Sequence, residues 1–310
     1  MKIVFMGTPA AAVPTLERLV ADGHEIVAVY TQPDRPSGRG NRLSAPPVKE
    51  KALELGLAVL QPTKLRTDEA LESFRSHAAD LAVVVAYGRI LPATFLSAYP
   101  KGAINVHFSL LPKLRGAAPV NWAIVNGDAV TGVSTMKMDE GLDTGDILLQ
   151  RETQIGTDET SIKLMERLAQ MGAELLAETL SVLDGISPTP QKDELVSFAP
   201  ILKKADGEID WRRPASEIAD RIRGFQPFPS SFTAFRGERL TIWRAEAIVS
   251  TTNHAPGEII ETTKDSIIVG CGDDSALRIL ELQPQGRKRM SARDVLNGLH
   301  IEKGEKFSQT

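Results

Sequence analysis

The first 110 or so residues alternate between short apolar runs and segments with helical spacing, and this alternation narrows the possible folds more than any other feature. Ile3-Val4-Phe5-Met6, Glu25 to Tyr30, Leu57 to Leu60, Leu81 to Tyr87 and Ala103 to His107 read as strands. Pro14 to Val20, Val48 to Leu55 and Asp68 to His77 read as the helices between them. Several of the strand runs lack a polar face. A strand that is apolar on both sides needs cover on both sides, so the pattern predicts an α/β domain built on a buried, mostly parallel sheet. The opening Gly7-Thr8-Pro9 lacks the G-x-G-x-x-G spacing, so no dinucleotide site is inferred.

Further along, Gly132 to Met138 and Asp146 to Gln150 read as strands on either side of an acidic loop, and Ser161 to Leu183 as a long amphipathic helix. A proline-bearing polar stretch follows, which places a linker at 190–206 between a domain of residues 1–189 and one of 207–310. Ala215 to Arg223 reads as a helix. Short strands then recur at Ser231 to Phe235, Leu240 to Ile248, Gly257 to Thr262, Ser266 to Gly270 and Ala276 to Leu282, with a last helix from Ser291 to Asn297. Such spacing suggests a small β-barrel. A length of 310 residues accommodates both domains, and 42% hydrophobic content suits a real core. The single cysteine, Cys271, excludes an internal disulfide and a cysteine-rich zinc site, and fits a reducing compartment. No apolar run approaches the roughly 20 residues that span a bilayer. The expectation is a cytoplasmic protein with no membrane partner and no obligate protein partner.

Asn105 and His107 lie two residues apart near a strand's carboxyl end, so both side chains share one face. Ligands of open parallel sheets bind beyond such ends. An amide can donate to a developing oxyanion, and an imidazole can donate from one nitrogen while the other meets a carboxylate. A turn-forming Asn and a core His are the plainer reading of the pair alone. The loop Gly141 to Asp146 offers Asp143, but Asp139, Glu140 and Asp146 compete with it, and spacing does not choose. No compact His/Asp set supports a metal. Ser109, Leu110, Leu111 and Pro112 form either a connector or a rigid apolar wall. Tyr87, Gly88, Ile90 and Leu91 offer a second wall, and walls of this kind suit a pterin. Arg35, Arg39 and Arg42 sit in a glycine-bearing loop that could track phosphates or be merely solvated. Arg287, Lys288 and Arg289 form a second basic cluster. The net charge of -4, and the 15 Lys+Arg against 16 Asp+Glu from Asp206 to Thr310, leave nucleic-acid contact to local faces.

Taken together, these residues resemble the methionyl-tRNA formyltransferases, within the wider folate-dependent formyltransferases. The likeness runs over nearly the whole chain. It is carried by Gly7-Thr8-Pro9, Thr31 to Pro36 with Gly38-Arg39-Gly40, Val84 to Gly88, the block Asn105 to Pro119, and Met138 to Gly145. It implies a Rossmann-like catalytic domain with helices on both faces of the sheet, followed by an OB-like β-barrel domain assisting tRNA binding. The implied activity is transfer of a formyl group from 10-formyltetrahydrofolate, with no metal, to the amine of methionyl-initiator tRNA. The implied catalytic residues are Asn105, His107 and Asp143, with folate contacts at Ser109 to Pro112 and acceptor-stem contacts at Arg39 and Arg42. Phe108 stands where relatives often have a small residue. The same trio would also serve formylation of a sugar-nucleotide amine or hydrolysis of the donor. A folate-dependent RNA-binding protein without turnover is the reading from a different class.

Overall fold

The apolar runs become neighbouring strands of one sheet. In the computed structural model, residues 1–37, 42–250 and 254–308 are described. The elements of the first part are β1 (Lys2–Gly7), α1 (Val13–Ala21), β2 (Glu25–Tyr30), β3 (Arg35–Ser37), β4 (Arg42–Ser44), α2 (Pro47–Glu54), β5 (Val59–Leu60), α3 (Asp68–Ser76), β6 (Leu81–Val85) and α4 (Ala93–Leu96). There follow β7 (Ala103–His107), β8 (Arg115–Gly116), α5 (Pro119–Val125), β9 (Val130–Lys137), β10 (Ile147–Gln154), α6 (Ser161–Val182) and β11 (Phe198–Ala199). The sheet order is β10-β9-β7-β6-β1-β2-β5. The five strands from β5 to β7 pair in parallel, and β9 joins β7 antiparallel.

Strand alternation divides the core in two. Val4, Met6, Ala28, Val84 and Ala103 pack with Phe74, Phe95 and Tyr99, and the Phe74 ring lies 4.6 Å from Phe95 and 4.7 Å from Tyr99. Ile3, Phe5, Val83, Ile104 and Val106 are buried on the opposite side. There α6 approaches so closely that a Cβ at Gly172 would lie 2.8 Å from Val106 and 3.4 Å from the Phe108 ring. Phe108 thus fills core against α6, and by alternation it points away from Asn105 and His107.

The chain divides into two compact units, of Met1–Pro119, Thr131–Gln154 and Met165–Ala199, and of Val120–Val130, Ile155–Leu164 and Pro200–Thr310. The second carries α7 (Ala215–Gly224), β12 (Ser231–Phe235), β13 (Glu238–Val249), β14 (Ile259–Thr262), β15 (Ile267–Gly270), β16 (Ser275–Pro284), β17 (Met290–Ser291) and α8 (Ala292–Leu299). Its antiparallel order is β12-β13-β16-β15-β14, with β17 on β16. The last described residues pair with both edges. Ser308 N–H donates to Ala234 (3.0 Å), Phe307 N–H to Gly257 (2.8 Å), and Ile259 N–H to Glu305 (2.8 Å). This tail closes the sheet into a barrel and satisfies its two edges. Phe307 anchors it, fully buried with its ring 5.7 Å from Trp211 and 5.3 Å from Phe235.

Several features were not foreseen, among them β3–β4, α4, α5 and the tail that closes the barrel. The loop after β2, read as phosphate-tracking or merely solvated, begins and ends in the antiparallel pair β3–β4. Helix α4, started by Pro92 at its N-cap, is four residues long, too short to show a period. Among the described residues no helix is long and apolar enough to cross a membrane.

Candidate active site

Asn105 and His107 stand at the carboxyl end of β7, where Asn105 pairs with Val84 on one side and Met136 on the other. Both are buried, at 8% and 6% exposure. The Asn105 carboxamide makes no hydrogen bond, as donor or acceptor, with the described residues, so its donors are available. His107 is held differently. Its Nε2 lies 3.0 Å from the Leu114 carbonyl. A carbonyl oxygen only accepts, so the neutral ring carries its hydrogen on Nε2. Nδ1 then faces the Asp143 carboxylate at 3.7 Å, ion-pairing distance if the ring is protonated but too long for a hydrogen bond.

The acidic loop sorts its own carboxylates. Asp139 accepts from Gly141 N–H (3.1 Å) and Thr144 Oγ1 (2.6 Å), so it shapes the turn. Asp143, in the left-handed region at φ +55°, accepts from Gly116 N–H at 2.8 Å. Aspartate tolerates that conformation. At Gly145 a Cβ would run into the Lys137 carbonyl, so only glycine lets the loop close here. Leu114 is also left-handed, at φ +60°, a costlier choice for a leucine and the one that presents its carbonyl to His107.

The turn Ser109 to Pro112 is pinned from beneath. Ser134 Oγ donates to Ser109 O (2.7 Å) and accepts from Leu111 N–H (3.0 Å), and Gln150 Nε2 donates to Leu111 O (2.9 Å). Ser109 and Leu111 are buried, while Leu110 and Pro112 are half-buried. In the second predicted wall the Tyr87 ring belongs to the core, and burial without a hydroxyl partner among the described residues pushes its phenol up to about 12. Its carbonyl accepts from Thr8 Oγ1 at 3.0 Å and Gln32 Nε2 at 3.2 Å, which fills both acceptor positions. Leu91 is buried, whereas Ile90 is 71% exposed. Tyr87, Gly88 and Arg35 share a cleft of about 430 Å³ with Thr8, Pro9 and Gln32.

The basic residues separate. Arg35 is exposed, Arg39 lies outside the described residues, and Arg42 opens β4. Arg287 and Lys288 are exposed, but Arg289 is engaged by Glu281 (2.6 Å) and lies 5.3 Å from the Trp243 ring. Among the described residues no group of three His, Cys, Asp or Glu could hold a metal ion. Sequence reasoning missed Leu114, Arg115, Ser134, Gln150 and Gln191, which hold the site without forming any local motif.

The family model for formyl transferases matches residues 1–180, and the model for their C-terminal domain matches residues 201–300. The chain is 49% identical over 311 residues to the methionyl-tRNA formyltransferase of Solibacter usitatus, covering 100% of this chain and 99% of that one. It is 50% identical to that of Koribacter versatilis, with the same coverage. The fold is similar to a solved N-formyltransferase from Helicobacter canadensis, with TM-score 0.66 and 16% identity over 92% of this chain and 99% of that one. The chain belongs to the methionyl-tRNA formyltransferase family.

Proposed function

We propose that Asn105, His107 and Asp143 carry the transfer of a formyl group from 10-formyltetrahydrofolate to the amine of methionyl-initiator tRNA. The observation that bears most on this is the meeting at one strand end of an unengaged amide, a ring nitrogen of defined tautomer and a carboxylate. The neutral amine attacks the formyl carbon, and the carbonyl oxygen becomes an oxyanion. The Asn105 amide donates to that oxyanion. With Nε2 tied to Leu114, His107 acts through Nδ1. It takes the ammonium proton as the tetrahedral intermediate forms, and Asp143 stabilises the imidazolium. The protonated Nδ1 then donates to the oxyanion. Collapse breaks the bond from the formyl carbon to the folate nitrogen, and the proton held by His107 passes to that nitrogen, which leaves the ring neutral again.

The turn Ser109 to Pro112, with Tyr87, Gly88, Ile90 and Leu91, forms the folate wall. Arg35, Arg39 and Arg42 contact the acceptor stem, and Arg287, Lys288 and Arg289 assist from residues 207–310, whereas residues 1–189 hold the chemistry. A reducing compartment that houses translation, the cytoplasm, is the expected location. Incubating the protein with 10-formyltetrahydrofolate and charged initiator tRNA should give formylmethionine, with far less product from elongator methionyl-tRNA. Release of formate at the same rate without tRNA would instead indicate a hydrolase.

A further inference from the structure

The polar stretch expected to be a linker is bonded to the active site at three levels. Gln191 Nε2 donates to the Asp143 carbonyl (2.9 Å) and the Gly145 carbonyl (2.7 Å). Its Oε1 accepts from Arg115 Nε (2.9 Å) and Nη2 (2.8 Å). Arg115 is buried, at 7% exposure, and among the described residues its side-chain partner is this neutral amide rather than a carboxylate. Ser197 Oγ accepts from Leu114 N–H (2.9 Å), and Ser197 O accepts from Arg115 N–H (2.9 Å). Phe198 and Ala199 then pair in parallel with Arg115 and Gly116.

Several of these contacts end next to a residue that holds His107 or Asp143. Leu114 N–H is held by Ser197 while Leu114 O fixes the His107 ring. Gly116, paired with Ala199, donates its N–H to Asp143 Oδ2, and Gln191 grips the backbone of the same aspartate. We propose that residues 191–199 form a positioning strap for the active site, with Gln191 setting the Asp143 loop and Ser197 setting the Leu114 carbonyl that orients His107. The amide suits this place because it offers two donors to two carbonyls and an acceptor to a cation, which neither Glu nor Lys can do. This inference rests on the reading of His107 and Asp143 as catalytic.

The test is steady-state formylation by Gln191→Ala, Gln191→Glu, Ser197→Ala and Ser197→Thr. Gln191→Glu keeps the acceptor for Arg115 but loses both donors. The strap predicts that kcat falls about tenfold to a hundredfold in both Gln191 variants, with KM for both substrates within about twofold. Ser197→Ala should fall similarly, and Ser197→Thr should restore turnover. Adding Gln191→Ala to Asp143→Asn should cost little more, since the strap acts through that carboxylate. Normal kcat in both Gln191 variants, raised KM with unchanged kcat, or fully additive losses would overturn the strap and leave Asp143 catalytic. Near-normal turnover of Asp143→Asn alone would overturn the reading of Asp143, and the strap with it.

Discussion

At His107 the Leu114 carbonyl occupies Nε2, so a variant that loses only Nδ1 should lose the proposed proton transfer while keeping the bond that anchors the side chain to the backbone. Asn105 differs, because no described residue uses its amide and its removal should leave the packing unchanged. Asn105→Ala is therefore expected to lower kcat by about 10²–10³, the usual cost of one oxyanion donor, with a much smaller change in KM for the folate. Gly116 combines φ +120° with an approach in which a Cβ would lie 2.7 Å from Ala199 O. Gly116→Ala should lose about 1–3 kcal/mol in urea unfolding and also move the N–H that Asp143 accepts. Full stability of that variant would refute the close approach. Burial pushes the Cys271 thiol up to about 12. At pH 8 the thiolate fraction is negligible, so a disulfide reagent should label it only when urea unfolds the barrel, and rapid labelling of native protein would contradict its burial.

The elements were legible where a period had room to express itself. Strand β2 spans the expected Glu25 to Tyr30 and β7 the expected Ala103 to His107, because apolar runs bounded by turns have few alternatives. Asn105 and His107 inherited a common face from the strand's period of two. Asp143 had no such guide, since a loop has no period. Three dimensions separate it from Asp139, which is spent on Gly141 and Thr144. Leu114, Ser197 and Gln191 left no trace in spacing, because their bonds join residues far apart in the chain. The Glu305–Ser308 tail was invisible for the same reason, yet it closes the barrel. Phe307→Ala should therefore cost about 3–5 kcal/mol, read as a lower unfolding midpoint. Helix α3 ends at His77, whose Nε2 meets the Tyr30 hydroxyl at 2.9 Å. Burial lowers the His77 pKa below its ordinary 6.5. Between the lowered value and 6.5 the unfolded chain holds more protons, so this contribution to stability is present above that window and is lost as pH falls through it. His77→Gln should flatten the decline in stability between about pH 7 and pH 5, and an unchanged slope would remove His77 as its source.

At the scale of the whole molecule, a chain of net charge -4 must meet a polyanion through local faces. Arg287 and Lys288 are exposed with no ion pair among the described residues, whereas Arg289 is held by Glu281. Replacing Arg287 and Lys288 with Ala should weaken tRNA binding and reduce its salt slope by about one per lost phosphate contact, while Arg289→Ala should do so less. Replacing Arg39 and Arg42 together should raise KM for charged tRNA without changing KM for the folate. The central proposal is formyl transfer to an initiator methionyl amine by Asn105, His107 and Asp143. Its most direct test is single-turnover formylation of methionyl-initiator tRNA at saturating 10-formyltetrahydrofolate by the native chain and by Asp143→Asn. Rapid formylmethionine formation is expected from the native chain and a rate lower by at least about a hundredfold from the variant, with donor binding retained. Equal rates for the two proteins would contradict it.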